Sequence, residues 1–308
     1  MTPLDRAGAI LREACGSRVR ADVSIAPLTT FRLGGPAALY LEPDGPDDLR
    51  AVARAVAETQ VPVLILGKGS NVLVADTGFP GLVLRLGRGY RWAARDGVRL
   101  SAGGAMPLPA LAGVAYAHGL AGLEFAIAIP ATVGGAVRMN AGAHGRSVAD
   151  VMESAEVVDL STGEQRTVAV ADAGFDYRRS DLGGASVVVG ARFLLETGDP
   201  TDIRHRMDEA RTWRRETQPL AEPNCGSVFR NPEGDHAARL VDAAGCKGWT
   251  EGGAIVSPKH ANFIVAGKGS TATDVARLID RVRTAVERAS GIRLEPEVKL
   301  VGDFPTPR

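Results

Sequence analysis

The chain has 308 residues, 45% of them hydrophobic and 23% charged, with 36 Lys+Arg against 36 Asp+Glu. Such hydropathy excludes a disordered chain, and a formal charge of zero gives no electrostatic footing for nucleic acid. Glycine stands out: 37 residues, about 12% against an average near 7%, without the three-residue period of collagen.

The opening MTPLDRAGAILREACGSRVR has no long apolar core and no small-residue cleavage site, so a cytoplasmic chain is expected. Residues 1–30 read as a lead-in. DDLRAVARAVAETQ (47–60) carries a helical stripe of Leu49, Val52, Ala53 and Val56. Short strands follow at 61–66, 81–86 and 98–103, and a helix at 107–119 opens on proline and stops at Gly119. Residues 155–170 read as a β-hairpin around Ser161-Thr162-Gly163-Glu164, and 185–196 as a further strand. The longest apolar stretch, Phe125 to Val137, is broken by Pro130, Gly134 and Gly135 and falls short of the roughly 20 residues of a membrane span.

After Gly198-Asp199-Pro200 the pattern changes to a long charged helix, TDIRHRMDEARTWRRETQ. A last helix starts near Thr271, where Thr271 and Asp274 match a capping box, with a stripe of Val275, Leu278, Ile279, Val282 and Val286. A boundary near residue 198 is therefore expected: lead-in 1–30, first domain 31–197, second domain 198–308. Three cysteines without CxxC spacing (Cys15, Cys225, Cys246) argue against a disulfide framework or zinc ribbon, and five scattered histidines against a His-rich metal site, so no metal is expected.

Sixteen of the 37 glycines lie between residues 60 and 145. Glycine lets backbone approach a ligand closely, at a cost in chain entropy, so this stretch reads as a backbone-lined binding site. Two motifs stand in it. Gly67-Lys68-Gly69-Ser70-Asn71 leaves a strand and could aim successive N–H groups at phosphate oxygens; it is neither a Walker A motif nor GxGxxG, and a plain turn is an equal reading. Ile129 to Ala136, followed by Met139-Asn140-Ala141-Gly142-Ala143, offers small residues and backbone donors for a pyrophosphate; the alternative is a tight crossing of two packed segments.

With these two segments at this spacing, the chain resembles the UDP-N-acetylenolpyruvoylglucosamine reductase (MurB) family, in the shorter type without the larger insertion. The landmarks run along nearly the whole chain: TTFRLGGP (29–36), LGKGSN (66–71), IPATVGGAVRMNAGAHG (129–145), YRRS (177–180), Gln218-Pro219, GSVFRNP (226–232), AGCKG (244–248), SPKHANF (257–263) and LEPEV (294–298). The resemblance implies an α+β protein: an FAD-binding domain of the vanillyl-alcohol-oxidase (PCMH) type, then a smaller α+β substrate-binding domain. It implies non-covalent FAD, NADPH as reductant, a nucleotide-sugar substrate and a monomer without nucleic-acid or membrane partners. The implied reaction reduces UDP-N-acetylglucosamine enolpyruvate to UDP-N-acetylmuramate in peptidoglycan precursor synthesis.

Position by position, Arg178 matches the family's catalytic arginine, whose bidentate fork can bind a developing enolate; Arg179 is the candidate if the register slips by one. Ser227 matches the proton donor, which would need a neighbouring charge or network to act as an acid; a turn serine capping local backbone is the other reading. Glu297 matches the catalytic glutamate, with Glu295 as alternative. The resemblance puts Gly67, Lys68, Gly69, Ser70, Asn71, Pro130, Thr132, Gly134, Gly135, Asn140 and Gly142 at the flavin, with Arg32 as a nearby positive charge. Tyr177, Asn231, Lys247, His260 and Asn262 are the candidates for substrate or nicotinamide contacts.

The chain departs from the family pattern at Ala128 and Ala131, where glycine is customary. Positive φ there would strain each alanine by roughly a kcal/mol; close approach would put a methyl against the cofactor. Three rivals follow: a covalent flavin oxidase, for which His118 and His144 are the only histidines in the glycine-rich domain; a paralogue acting on another enol; and a non-catalytic binding protein of this fold.

Overall fold

The helix that begins the chain, α1 (Pro3–Cys15), follows from its first residues. Thr2 accepts the Asp5 N–H, Asp5 accepts the Thr2 N–H, and Pro3 takes the first helical position, where its missing donor costs nothing. The structure is a computed structural model that describes residues 1–305. Two compact units emerge. The first comprises Met1–Ala21, Leu39–Lys68 and Gly81–Trp213; the second comprises Asp22–Ala38, Gly69–Pro80 and the chain from Arg214 onward.

In the first unit α1 packs on α2 (Pro46–Thr59), over a core that includes Leu11, Val52, Leu82, Leu84 and Val189. Val63–Ile65, half-buried, lies parallel to the buried end of Phe79–Leu84, both strands being rich in aliphatics. A five-stranded antiparallel sheet runs in the order Gln165–Ala169, Met152–Asp159, Ser186–Leu194, Arg99–Gly103, Ala93–Asp96. Its inner residues, among them Leu100, Val157, Ala191 and Phe193, form one core with α3 (Leu108–Ala117) and α4 (Val133–Arg138). Ile203 and Met207 of α5 (Pro200–Thr217) close that core.

The second unit carries α6 (Ala237–Ala243), α7 (Ala272–Ser290) and a three-stranded antiparallel sheet of Thr250–Glu251, Ala254–Val256 and Ile264–Ala266. The expected capping box starts α7: Thr271 Oγ1 accepts from Asp274 N at 3.0 Å and Asp274 accepts from Thr271 N at 2.9 Å. Asp76 adds a second cap, accepting from Ala272 N (2.8 Å), Thr273 N (2.9 Å) and Thr273 Oγ1 (2.7 Å). The stripe Val275, Leu278, Ile279, Val282 and Val286 is buried against Phe31, Leu73, Phe229 and Leu240. Lys299–Val301 pairs in parallel with Val72–Val74.

These units differ from a division at residue 198. The change of unit falls inside α5, after Trp213, because Ile203, Met207 and Ala210 are buried with the first unit. Phe31 and Leu73 belong to the second core, which draws two early segments into the later unit. Among the described residues no helix is long and apolar enough to cross a membrane.

Candidate active site

In the first unit, the two glycine-rich motifs meet. A Cβ on Gly67 would lie 2.6 Å from Thr132 Oγ1, so only glycine allows this approach without moving Thr132. Thr132 is the N-cap of α4, accepting from Gly135 N at 3.3 Å. Val133 N and Gly134 N donate to the carbonyls of Met106 (2.8 Å) and Gly104 (2.9 Å), and a Cβ on Gly134 would sit 2.8 Å from the Val188 carbonyl. The 129–136 segment therefore spends most of its donors inside the protein and has the geometry of a tight crossing. What it offers a ligand is shape. Pro130 lies just ahead of this crossing and is half-buried.

The Gly67–Asn71 turn behaves in the opposite way. Among the described residues, none of its five N–H groups donates to a protein acceptor, although Gly69 is buried and Gly67, Ser70 and Asn71 are half-buried, with Lys68 exposed. At Gly69 φ is +66°, and a Cβ would lie 2.3 Å from the Leu28 carbonyl, so this conformation is closed to other residues. A run of half-buried N–H groups without protein acceptors fits an anionic diphosphate. Arg32, also at positive φ (+57°), is exposed.

The YRRS loop is lashed to the segment after α4. Ser180 Oγ donates to the Arg138 carbonyl (2.7 Å), Asn140 Nδ2 to the Asp176 carbonyl (3.1 Å), and an Arg178 guanidinium nitrogen to the Gly142 carbonyl (2.9 Å). Arg178 is held at φ +56°, an uncommon backbone state for a non-glycine residue, and its guanidinium lies 5.1 Å from the ring centre of the exposed Tyr177. Arg179, the register alternative, is committed to Asp181 at 2.7 and 3.1 Å. Arg178 is thus the arginine that the loop holds in place.

In the second unit, backbone pairing joins three of the sequence landmarks. Glu297 N donates to the Val228 carbonyl (2.7 Å), Arg230 N to the Glu295 carbonyl (2.9 Å), and Asn71 Nδ2 to the Glu297 carbonyl (3.2 Å). Ser227 and Glu297 accordingly sit on adjacent stretches of backbone, with the end of the glycine-rich turn beside them. The Ser227 hydroxyl is half-buried and, among the described residues, has no protein partner, so it caps no turn. Glu297 is half-buried and Glu295 exposed, which favours Glu297. Burial pushes the Cys225 thiol well up, and the Glu297 carboxylate adds to the shift, so Cys225 is an inert neighbour.

Several sequence candidates have other work. The Asn262 side chain is buried, with Oδ1 accepting from Phe229 N (2.9 Å) and Nδ2 donating to Phe229 O (2.8 Å), and it braces the Ser227 segment. Asn140 is buried, and its oxygen accepts from Ala149 N (3.0 Å) while its nitrogen donates to the Asp176 carbonyl, so its amide bridges two stretches of backbone. His260 Nδ1 accepts from Asn262 N (3.2 Å), its ring packs on Phe263, and burial lowers its pKa. Lys247 pairs with Asp242 at 2.7 Å. Asn231 Oδ1 accepts the Ala237 N–H at the start of α6, leaving its amide nitrogen available. Gly142 contributes its carbonyl to Arg178, and a Cβ there would lie 2.5 Å from the Arg146 carbonyl.

Ala128 ends a 3-10 turn (Glu124–Ala128) and Ala131 donates to the Ile129 carbonyl; among the described residues neither has positive φ. The two alanines therefore carry no backbone strain. Two arginines were missed by sequence reasoning. Arg138 and Arg214 are half-buried, and burial lowers the pKa of each. Arg138 keeps one buried guanidinium nitrogen without a protein acceptor, and Arg214 donates to Gln218 Oε1 at 3.1 Å. Nothing in the sequence separates these two from the other arginines; only burial does.

Comparison with known proteins supplies the family. Residues 37–169 match the family model described as FAD binding domain, and residues 218–301 the model of the UDP-N-acetylenolpyruvoylglucosamine reductase C-terminal domain. The UDP-N-acetylenolpyruvoylglucosamine reductase of Anaeromyxobacter sp. (strain Fw109-5) is 46% identical over 92% of this chain and 88% of its own length. UDP-N-acetylenolpyruvoylglucosamine reductase 2 of Symbiobacterium thermophilum is 44% identical over 99% of both. The crystal structure of the Thermus caldophilus enzyme (MurB) superposes with a TM-score of 0.81 at 34% identity, covering 92% of this chain and 99% of that one. A berberine bridge enzyme variant gives a TM-score of 0.50 at 13% identity over 65% of this chain and 45% of that one, a likeness of fold alone. Matched along nearly its full length by relatives of one name, with a flavin-binding model over the first part and the reductase-specific model over the second, the chain belongs to the UDP-N-acetylenolpyruvoylglucosamine reductase family.

Proposed function

We propose that the protein is an NADPH-dependent flavoenzyme that reduces UDP-N-acetylglucosamine enolpyruvate to UDP-N-acetylmuramate. The observation that carries this reading is the 44% identity, over 99% of both chains, to a relative of that name. The donor set fits FAD: the N–H groups of Gly67 to Asn71 for the pyrophosphate, with Thr132 packed against Gly67 and with Pro130, Gly134 and Gly135 next to Thr132 in the chain. Bound there, the flavin supplies the hydride relay between NADPH and the enolpyruvyl group. Lys68 and Arg32, both exposed, are available to anionic groups.

The chain's own residues manage charge and proton. As the terminal carbon of the enolpyruvyl group gains hydride, negative charge spreads from its neighbour onto the carboxylate. Arg178 binds that charge through its fork, and the YRRS loop fixes its direction. Ser227 Oγ gives its proton to the adjacent carbon; with no protein partner of its own, the hydroxyl is free to turn toward it. Glu297, on the backbone beside it, stabilises or relays that proton. Tyr177 and the unspent Asn231 nitrogen are left for the nucleotide sugar. The same reading makes the protein a cytoplasmic monomer.

The test is anaerobic. NADPH should bleach the flavin absorbance, and UDP-N-acetylglucosamine enolpyruvate should restore it. Bleaching without return refutes the substrate; a protein that holds no flavin refutes the enzyme.

A further inference from the structure

We propose that Asn140 is a positioning residue, set under the Arg178 loop to hold its strained backbone, and makes no contact with the cofactor. The proposal rests on the functional reading above. Two residues with uncommon backbone are joined here: Asn140 at φ +40° and, across the Asp176 carbonyl, the loop that keeps Arg178 at φ +56°. The Asn140 amide is a bridge with both ends loaded. Its oxygen takes Ala149 N (3.0 Å), its nitrogen gives to Asp176 O (3.1 Å), and the side chain is buried.

Asp176 is the pivot of the loop. It exchanges backbone hydrogen bonds with Arg179 (3.1 Å each way), closing a tight turn with Tyr177 and Arg178 at its tip. Its carboxylate accepts the Tyr177 N–H at 2.7 Å. A backbone state that costs of order 1–3 kcal/mol persists only where its surroundings over-determine it. The tie from Asn140 fixes one end of the turn, Ser180 to Arg138 fixes the other, and Arg178 to Gly142 fixes the tip. A side chain that must both accept from an N–H and donate to a carbonyl, on a residue at positive φ, selects asparagine: aspartate lacks the donor and glycine lacks both groups.

The experiment compares Asn140→Asp and Asn140→Gly with the wild-type holoenzyme. Asn140→Asp keeps the size and the acceptor but sets a carboxylate against the Asp176 carbonyl. Asn140→Gly relieves the φ strain and removes both bonds. In both variants FAD content and NADPH reduction should match wild type. Reoxidation by UDP-N-acetylglucosamine enolpyruvate should slow by about 10²-fold, the scale of a catalytic group misplaced by about 1 Å. Independently of turnover, hydrogen exchange at the Asp176 and Arg179 amides should accelerate, with strand Met152–Asp159 unchanged. Lost flavin, equal slowing of both half-reactions, or unchanged exchange at those two amides would each overturn the proposal. If the wild-type flavin is not reoxidised by this substrate, the functional reading fails, and the exchange measurement still decides the role of Asn140.

Discussion

Gly67→Ala isolates the contact between the two glycine-rich motifs. The new Cβ would sit 2.6 Å from Thr132 Oγ1, well inside van der Waals contact, and 3.8 Å from Thr132 Cβ and Cγ2, an ordinary distance. Relief requires Thr132 to rotate, and its hydroxyl then leaves Gly135 N, uncapping α4 at a cost of about 1 kcal/mol. If Thr132 stays, overpacking costs about 1–3 kcal/mol instead. Thr132→Ala alone should cost about 1 kcal/mol for the lost cap. The double variant should then cost no more than Thr132→Ala alone, because the clashing atom is gone, giving a coupling of roughly 1 kcal/mol. Urea unfolding of the four proteins, with and without FAD, measures this; for a unit of this size each kcal/mol moves the melting temperature by about 2–4 °C. Strict additivity, or a neutral Gly67→Ala, would refute the proposed contact.

Ser227→Ala should leave flavin bleaching by NADPH intact and slow its return on adding substrate, measured by anaerobic stopped flow; loss of bleaching would remove the serine from proton donation. Arg178→Lys keeps the charge but loses the fork, and reoxidation should fall by about 10²-fold or more while FAD affinity holds. Acid unfolding should report the Arg18–Asp48 pair. The Arg18 guanidinium, at 2.5 and 2.6 Å, holds the Asp48 carboxyl down at about 2 against burial, and the Asp44 N–H helps. Because the folded pKa is depressed, the stabilisation is whole above the unfolded value near 4 and lost as pH falls toward 2. Roughly 1–2 kcal/mol should disappear across that window in wild type, and be missing from the pH profile of Asp48→Asn.

Much of the fold was legible wherever a pattern ran longer than two turns. The stripes at 47–60 and 271–286, the Thr271–Asp274 box and the hairpin at 155–170 all fall where period and capping chemistry put them. Helix α1 is equally readable, from Pro3, the Thr2–Asp5 box and the apolar Ala7, Ile10 and Leu11, and replaces the plain lead-in expected over residues 1–30. The six-residue α4 is too short for a period to show. The discontinuous second unit rests on contacts such as Asp76 with Ala272, which no local window contains. At the site, residue types were visible but commitments were not. Asn140, Asn231 and Asn262 look alike in sequence, and only the structure shows two of these amides bonded to backbone through both oxygen and nitrogen and one through its oxygen alone.

The pairing of Lys299–Val301 with Val72–Val74 sets the order in which the chain can mature. During synthesis, residues 69–80 emerge long before their strand partner, Lys299–Val301. Closing so long a loop adds entropy only logarithmically, so the native pairing costs little stability, but the wait is real. Until Lys299–Val301 arrives, Val72, Leu73 and Val74 form an unpaired aliphatic strand beside a glycine-rich turn, the kind of edge that invites pairing with another chain. Shortening the C-terminus by ten residues would make that interval permanent. Loss of Lys299–Val301 should therefore lower soluble yield through the exposed Val72–Val74 edge, whatever it does to the chemistry.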